Sequence, residues 1–126
     1  MRIFKIKGFA RFQRRERIAD ESLSQATMRA ERGLVDADLS GGLIKQRVAR
    51  RGQGKSGGYR TIIAYRRSDR AVFLFGFAKN ERPNLDDDEL AHWQRIGRRY
   101  LGLDEDGLAA AIAADELAEV NHDDED

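Results

Sequence analysis

"YRTIIAYRRSDRAVFLFGFAK", residues 59–79, decides the fold. Two runs rich in β-branched and aromatic residues, 59–67 and 71–79, flank a short polar break at Ser68-Asp69. Such runs suit pleated, half-buried strands, and a two-residue polar break suits a hairpin turn. With Ser68-Asp69 as the turn, Arg67 pairs with Arg70, Arg60 with Phe77 and Gly58 with Lys79. Directly opposed residues share a face, as do residues two apart on one strand. Arg60 and Lys79 are therefore expected on one face at one end of the sheet, and a one-residue slip would part them.

Upstream, "LIKQRVA" (43–49) alternates Leu43, Lys45 and Arg47 with Ile44, Gln46 and Val48, a third strand. Between the strands, "RRGQGKSGG" (50–58) reads as a basic glycine-rich loop that carries Arg50, Arg51 and Lys55. It lacks the G-x-x-x-x-G-K-[ST] spacing and opens onto a strand, which excludes a nucleoside-triphosphate loop. At the N-terminus, "MRIFKIKGF" predicts a short strand broken by Gly8, and residues 9–18 a short basic helix. Asp20 is the expected N-cap of a second helix, in which Leu23, Ala26, Thr27 and Ala30 share one face. Gly33 sits where a left-handed C-terminal residue belongs. "VDADLSGG" (35–42) reads as loop.

Past the hairpin, Asp86 and Glu89 form a capping box, with Leu85 and Leu90 at the staple positions of a helix over 84–103. A weaker helix follows from Asp104, then "LAEV" (117–120) as a short strand and "NHDDED" as a disordered acidic tail. The fold class is α+β. A small, mainly antiparallel sheet carries two N-terminal helices and a C-terminal helix on one face, plus an appended helix and tail.

A chain of 126 residues suits one core. With no cysteine and two histidines, disulfides and thiolate metal sites are excluded, and a histidine-built metal site would need carboxylate help. No apolar run reaches membrane-spanning length and no signal peptide is visible, so a cytoplasmic location is the default. The net charge of +1 hides a division: residues 1–82 hold 20 Lys and Arg against 8 Asp and Glu, while residues 83–126 hold 3 against 14. A basic body with an acidic end suggests a polyanion partner, or two halves that neutralise each other in the fold.

A cluster of Arg60, Lys79, Arg47, Arg50, Arg51 and Lys55 over one sheet end could grip a phosphate and stabilise the charge that develops when a ribose 2′-OH attacks its own phosphodiester. The competing reading is a solvated basic sheet edge. Asp86–Glu89 is explained by helix capping better than by metal binding. His92 has no obvious catalytic setting, and Tyr59 and Tyr65 suit core packing better than base stacking.

Residues 43–82, through "K-x-R-x-A", "G-x-G-K-S-G-G-Y-R" and "F-A-K-N-E", resemble the central block of RelE/HigB-like toxins of type II toxin–antitoxin systems. In element order the resemblance extends over 1–102, which makes 1–102 the expected toxin domain and 103–126 a C-terminal extension. It implies a microbial-RNase-like fold and ribosome-dependent cleavage of mRNA in the decoding site, without metal or cofactor. It also implies inhibition by a cognate antitoxin, usually one with a helix-turn-helix domain. By resemblance, Arg60 and Lys79 are catalytic, and Lys45, Arg47 and Lys55 contact RNA; Arg50 and Arg51 join the RNA-binding group through their place beside the loop. Relatives often carry a Tyr or His just past the last core strand; "NERPNL" has neither, so the proton-transfer partner is unassigned. A ParE-like toxin that binds a topoisomerase and a non-enzymatic RNA-binding adaptor are the alternatives.

Overall fold

Residues 59–66 and 70–78 do pair, but by a different route. The computed structural model describes residues 1–50, 54–78 and 84–121, giving only the backbone for Arg50 and 54–57. Strand β4 (Gly54–Arg66) lies between β3 (Leu43–Arg50) and β5 (Arg70–Ala78), antiparallel to both. The β4–β5 turn has three residues, Arg67 to Asp69, with Ser68 at φ 61°, so Arg66 rather than Arg67 faces Arg70. Further along, Ile63 faces Phe73 but Ile62 faces Phe75, which leaves Leu74 as an extra residue in a β-bulge. The bulge restores what the longer turn took away, and Arg60 faces Phe77 as expected. It also lets the consecutive Leu74 and Phe75 both pack on one side of the sheet while Phe73 packs on the other.

The glycine-rich stretch is less of a loop than the sequence suggests. β3 and β4 continue as a paired hairpin as far as Arg50 opposite Gly54, and residues 51–53 lie outside the described chain. Gly58 sits inside this ladder, beside a register shift between Val48 and Arg50. A Cβ there would overlap the Val48 carbonyl oxygen, so the glycine serves its own neighbouring strand.

"VDADLSGG" is not all loop. Ala37–Ser40 forms a short edge strand, β2, joined to β3 through Gly41 and Gly42 at φ 64° and 83°. Two consecutive positive φ values are what a tight hairpin turn demands. The sheet is completed by β1 (Arg2–Ile6), parallel to β5, and β6 (Leu117–Glu119), antiparallel to β1. The order is β2-β3-β4-β5-β1-β6, and among the described residues β1–β5 is the one parallel pair. β6 is the short strand expected at 117–120. The tail at 122–126 lies outside the described residues.

Helices cover both faces, not one. On the first face lie α1 (Lys7–Glu16) and α2 (Asp20–Glu31), which bury Phe9, Phe12, Leu23, Ala26 and Ala30 against Ile63 and Phe73. The α1 ring of Phe12 meets Tyr59 edge-on at 5.6 Å and lies so close over Gly76 that a Cβ there would collide with it. Asp20 is the first helical residue of α2 rather than its cap. Its carboxylate accepts from Lys5 Nζ (3.0 Å) and Gln13 Nε2 (2.7 Å), which ties the helical hairpin to β1. Gly33 does adopt φ 86°.

On the second face, α3 (Asp87–Leu101) starts with the expected capping box of Asp86 and Glu89. Its Gly97 lets the helix approach Leu43 and Ala64, and Trp93 stacks on Phe75 at 5.3 Å. Helix α4 (Glu105–Ala113) is capped by Asp104, whose side chain accepts from Gly107 N. The α3 C-terminus is held by a group the sequence did not advertise. Arg70, 8% exposed, donates from Nη1 to the carbonyls of Tyr100 and Leu103, both at 2.9 Å.

Candidate nucleic-acid interface

The α3 face of the sheet changes character along its length. Near the β4–β5 turn it is apolar: Leu43, Ala64, Val72 and Leu74 lie under α3 and α4. Towards the other end the alternation of the same strands brings Lys45, Arg47 and Arg60 onto this face. Arg47 stands directly opposite Arg60, and Lys45 directly opposite Ile62. Like charges placed across a ladder destabilise a sheet by some tenths of a kcal/mol. Two arginines side by side on a central strand pair are thus a local cost that the fold alone does not call for.

The surroundings of the two guanidinium groups differ. Arg47 is exposed and reaches the sheet edge, its Nε 3.5 Å from Asp36 Oδ2. The same oxygen accepts from the Arg47 backbone N at 2.7 Å and lies 3.9 Å from Arg29 Nη2. Asp36 is held in turn by its own N–H, which donates to Gln46 Oε1 at 2.7 Å. Gln46, fully buried, also donates to the carbonyl of Ala26 and so stitches β3 to α2. Arg60 is half-buried, and its Nη1 is sealed from solvent without a hydrogen-bond partner among the described residues. A buried guanidinium N–H without an acceptor is a costly state, and a phosphate oxygen is its natural complement.

Beside Arg60 the face is lined by Ile62, Phe75 and Phe77, the two rings 5.9 Å apart. Lys45 donates from Nζ to Asn84 Oδ1 at 2.8 Å, just before α3 begins. His92 is exposed on α3, its ring 4.7 Å from that of Trp93. No group of three or more His, Asp or Glu side chains able to hold a metal ion occurs among the described residues.

Of the site residues expected from the sequence, Arg60, Arg47 and Lys45 are brought together. Arg50 and Lys55 lie on the paired extension of β3 and β4, by backbone only; Arg51 and Lys79 fall outside the described residues. The expected Arg60–Lys79 neighbourhood is therefore defined as far as Tyr59 opposite Ala78. Tyr59 is core, its hydroxyl donating to Glu16 Oε1, and Tyr65 donates to Glu31 Oε2 at 2.6 Å. Burial, then the bond to Glu31, pushes the Tyr65 hydroxyl up to about 12. Glu31 is held below the ordinary carboxylate range; burial opposes this, but the donors Tyr65 and Ser68 outweigh it. Asp36, Arg29 and Asn84 were not legible as site neighbours, because each is far in sequence from the residues it meets.

The architecture defines a small α+β protein with a cationic, partly uncovered sheet end. The chain belongs to the RelE toxin family: the family model described as the RelE toxin of the RelE/RelB toxin–antitoxin system matches residues 1–120. It is accordingly the toxin of a toxin–antitoxin pair, and a cognate antitoxin is its implied partner. A search of the curated proteins finds no match. Among the described residues no helix is long and apolar enough to cross a membrane.

Proposed function

We propose that this toxin is an endoribonuclease that cuts ribosome-bound mRNA and so stops translation. The observation that carries this reading is the half-buried Arg60, whose Nη1 has no acceptor among the described residues, on the face that also presents Lys45 and Arg47. A non-bridging oxygen of the scissile phosphate would complete Arg60. The guanidinium would then oppose the negative charge that builds on that phosphate as the neighbouring 2′-OH attacks it. The attack forms the new O2′–P bond and breaks the P–O5′ bond, leaving a 2′,3′-cyclic phosphate and a free 5′-OH. The 2′-OH proton goes to a base and the leaving oxygen takes one from an acid. Lys79 is assigned to this chemistry through the "F-A-K-N-E" motif, and Arg47, Lys45, Lys55, Arg50 and Arg51 to holding the RNA backbone. Membership of a family whose toxins are generally RNases supports the reading. A helix-turn-helix antitoxin and a cytoplasmic site of action belong to the same proposal.

Expression in cells with mapping of mRNA 5′ ends tests it. In-frame cuts that disappear with Arg60→Ala are the expected result. Toxicity with intact mRNA and damaged DNA would transfer the protein to the topoisomerase-binding reading, and no toxicity would favour an adaptor.

A further inference from the structure

Next to Arg60 on the same face lies a cavity of about 270 Å³, lined by Leu39, Lys45, Ile62, Asn84, Leu85 and Leu90. We propose that this cavity is a nucleobase subsite, which receives a base flanking the phosphate held by Arg60; the proposal rests on the reading given under Proposed function. Four of the six lining side chains are aliphatic, and the two polar ones, Lys45 and Asn84, are bonded to each other at one wall. A mainly apolar cleft with a few convergent polar groups is the usual make-up of a small-ligand site. The volume lies just under the roughly 300 Å³ at which sites for whole small molecules begin, which suits one flat ring system.

Position selects the occupant. Ile62, fully buried behind the cavity wall, is two residues from Arg60 on β4 and lies on the same face. Two strand residues span about 6.6 Å, a distance that a single extended nucleotide covers from phosphate to base. Lys45, opposite Ile62, is both a cavity wall and a neighbour of the Arg47–Arg60 pair. One of the three ammonium protons of Lys45 goes to Asn84, and the others remain to meet ring acceptors. A purine edge with adjacent acceptors, such as guanine O6 and N7, is matched better than a donor-bearing edge. An apolar side chain from a protein partner would fill the volume but offer no acceptor to the two Lys45 ammonium protons that Asn84 does not take, and the cationic flank favours a polyanion.

The test measures binding of short RNA oligonucleotides to the full chain, each with one abasic position, against the intact sequence. One abasic position is expected to lower affinity about tenfold, in line with the measured worth of a base contact. Leu85→Trp, which fills the cavity from a half-buried position, should remove that difference while leaving the abasic oligonucleotide bound as before. Lys45→Gln is the second variant, and should erase any preference among bases at the same position. If abasic substitution has no effect at any position while Arg60-dependent cutting persists, the subsite is wrong and the nuclease reading stands. If the abasic effect and its loss in Leu85→Trp occur without any cleavage, the subsite stands and the nuclease reading fails. Release of the cognate antitoxin by Leu85→Trp, with RNA discrimination unchanged, would assign the cavity to a protein and overturn the proposal.

Discussion

Replacing Arg60 by Met should make the free protein more stable while it weakens anion binding. Met keeps a long unbranched stem of similar reach, so packing beside Ile62 and Phe77 is retained. The substitution removes two costs. A buried donor without an acceptor carries a penalty of about 1–3 kcal/mol. The Arg47–Arg60 opposition adds some tenths, offset in part by Asp36 beside Arg47. A net gain of about 1–2 kcal/mol is expected, since part of the buried-donor penalty is relieved by local relaxation. For a domain of this length that corresponds to a Tm increase of roughly 3–10 °C. Urea and thermal unfolding, with and without inorganic phosphate, measure it. Phosphate should raise the wild-type Tm and narrow the gap, because the ligand binds the native state through Arg60. A variant that loses more than about 1 kcal/mol, with a phosphate response equal to wild type, would show that Arg60 is satisfied within the fold and refute the reasoning.

Gly58→Ala should cost about 1–3 kcal/mol in urea unfolding, because the new methyl meets the Val48 backbone, which must shift. Arg70→Met should cost about 2–4 kcal/mol by leaving the Tyr100 and Leu103 carbonyls unpaired at the end of α3, and hydrogen exchange should rise there first. The Tyr65–Glu31 bond should make stability fall at both pH extremes. Tyr65 is raised from 10.0 to about 12 in the fold, so its contribution is full below pH 10 and is lost as pH rises through about 12. Glu31 is lowered, so its contribution is present above its ordinary value of 4.5 and is lost as pH falls through its depressed one; in Tyr65→Phe the alkaline loss should vanish. Single Lys45→Gln and Arg47→Gln variants should each reduce the slope of log affinity for single-stranded RNA against log salt by about 0.7.

The strands and helix starts were legible because their signals are local. The capping box of α3 needs only Asp86 and Glu89, and the core face of α2 needs only helical spacing. What depends on tertiary approach was not. Whether Gly58 frees a loop or permits a close strand crossing is decided by Val48, ten residues away on the partner strand. The edge strand at Ala37–Ser40 has the composition of a turn and exists because β3 offers it a ladder. The second helical layer was missed because the aliphatic and aromatic residues of β4 and β5 occupy both faces, which marks a strand buried on two sides. Near the candidate site, the register of Arg60 with Phe77 was correct, though two opposite errors, a longer turn and a bulge, cancelled to give it. Asp36 and Asn84 were invisible because no pattern in the sequence links them to Arg47 and Lys45.

Arg60 stands on an interior strand, laddered to β3 on one side and β5 on the other. Its anchor point cannot drift without breaking two neighbours' bonds at once. The protein is therefore the anvil, and any strand laid across it has to do the bending. A polymer already held in a sharply kinked path would meet this anvil at little further expense, whereas a relaxed one would have to be deformed first. Under the proposed function, selectivity between the two would arise from the shape imposed on the polymer before it arrives.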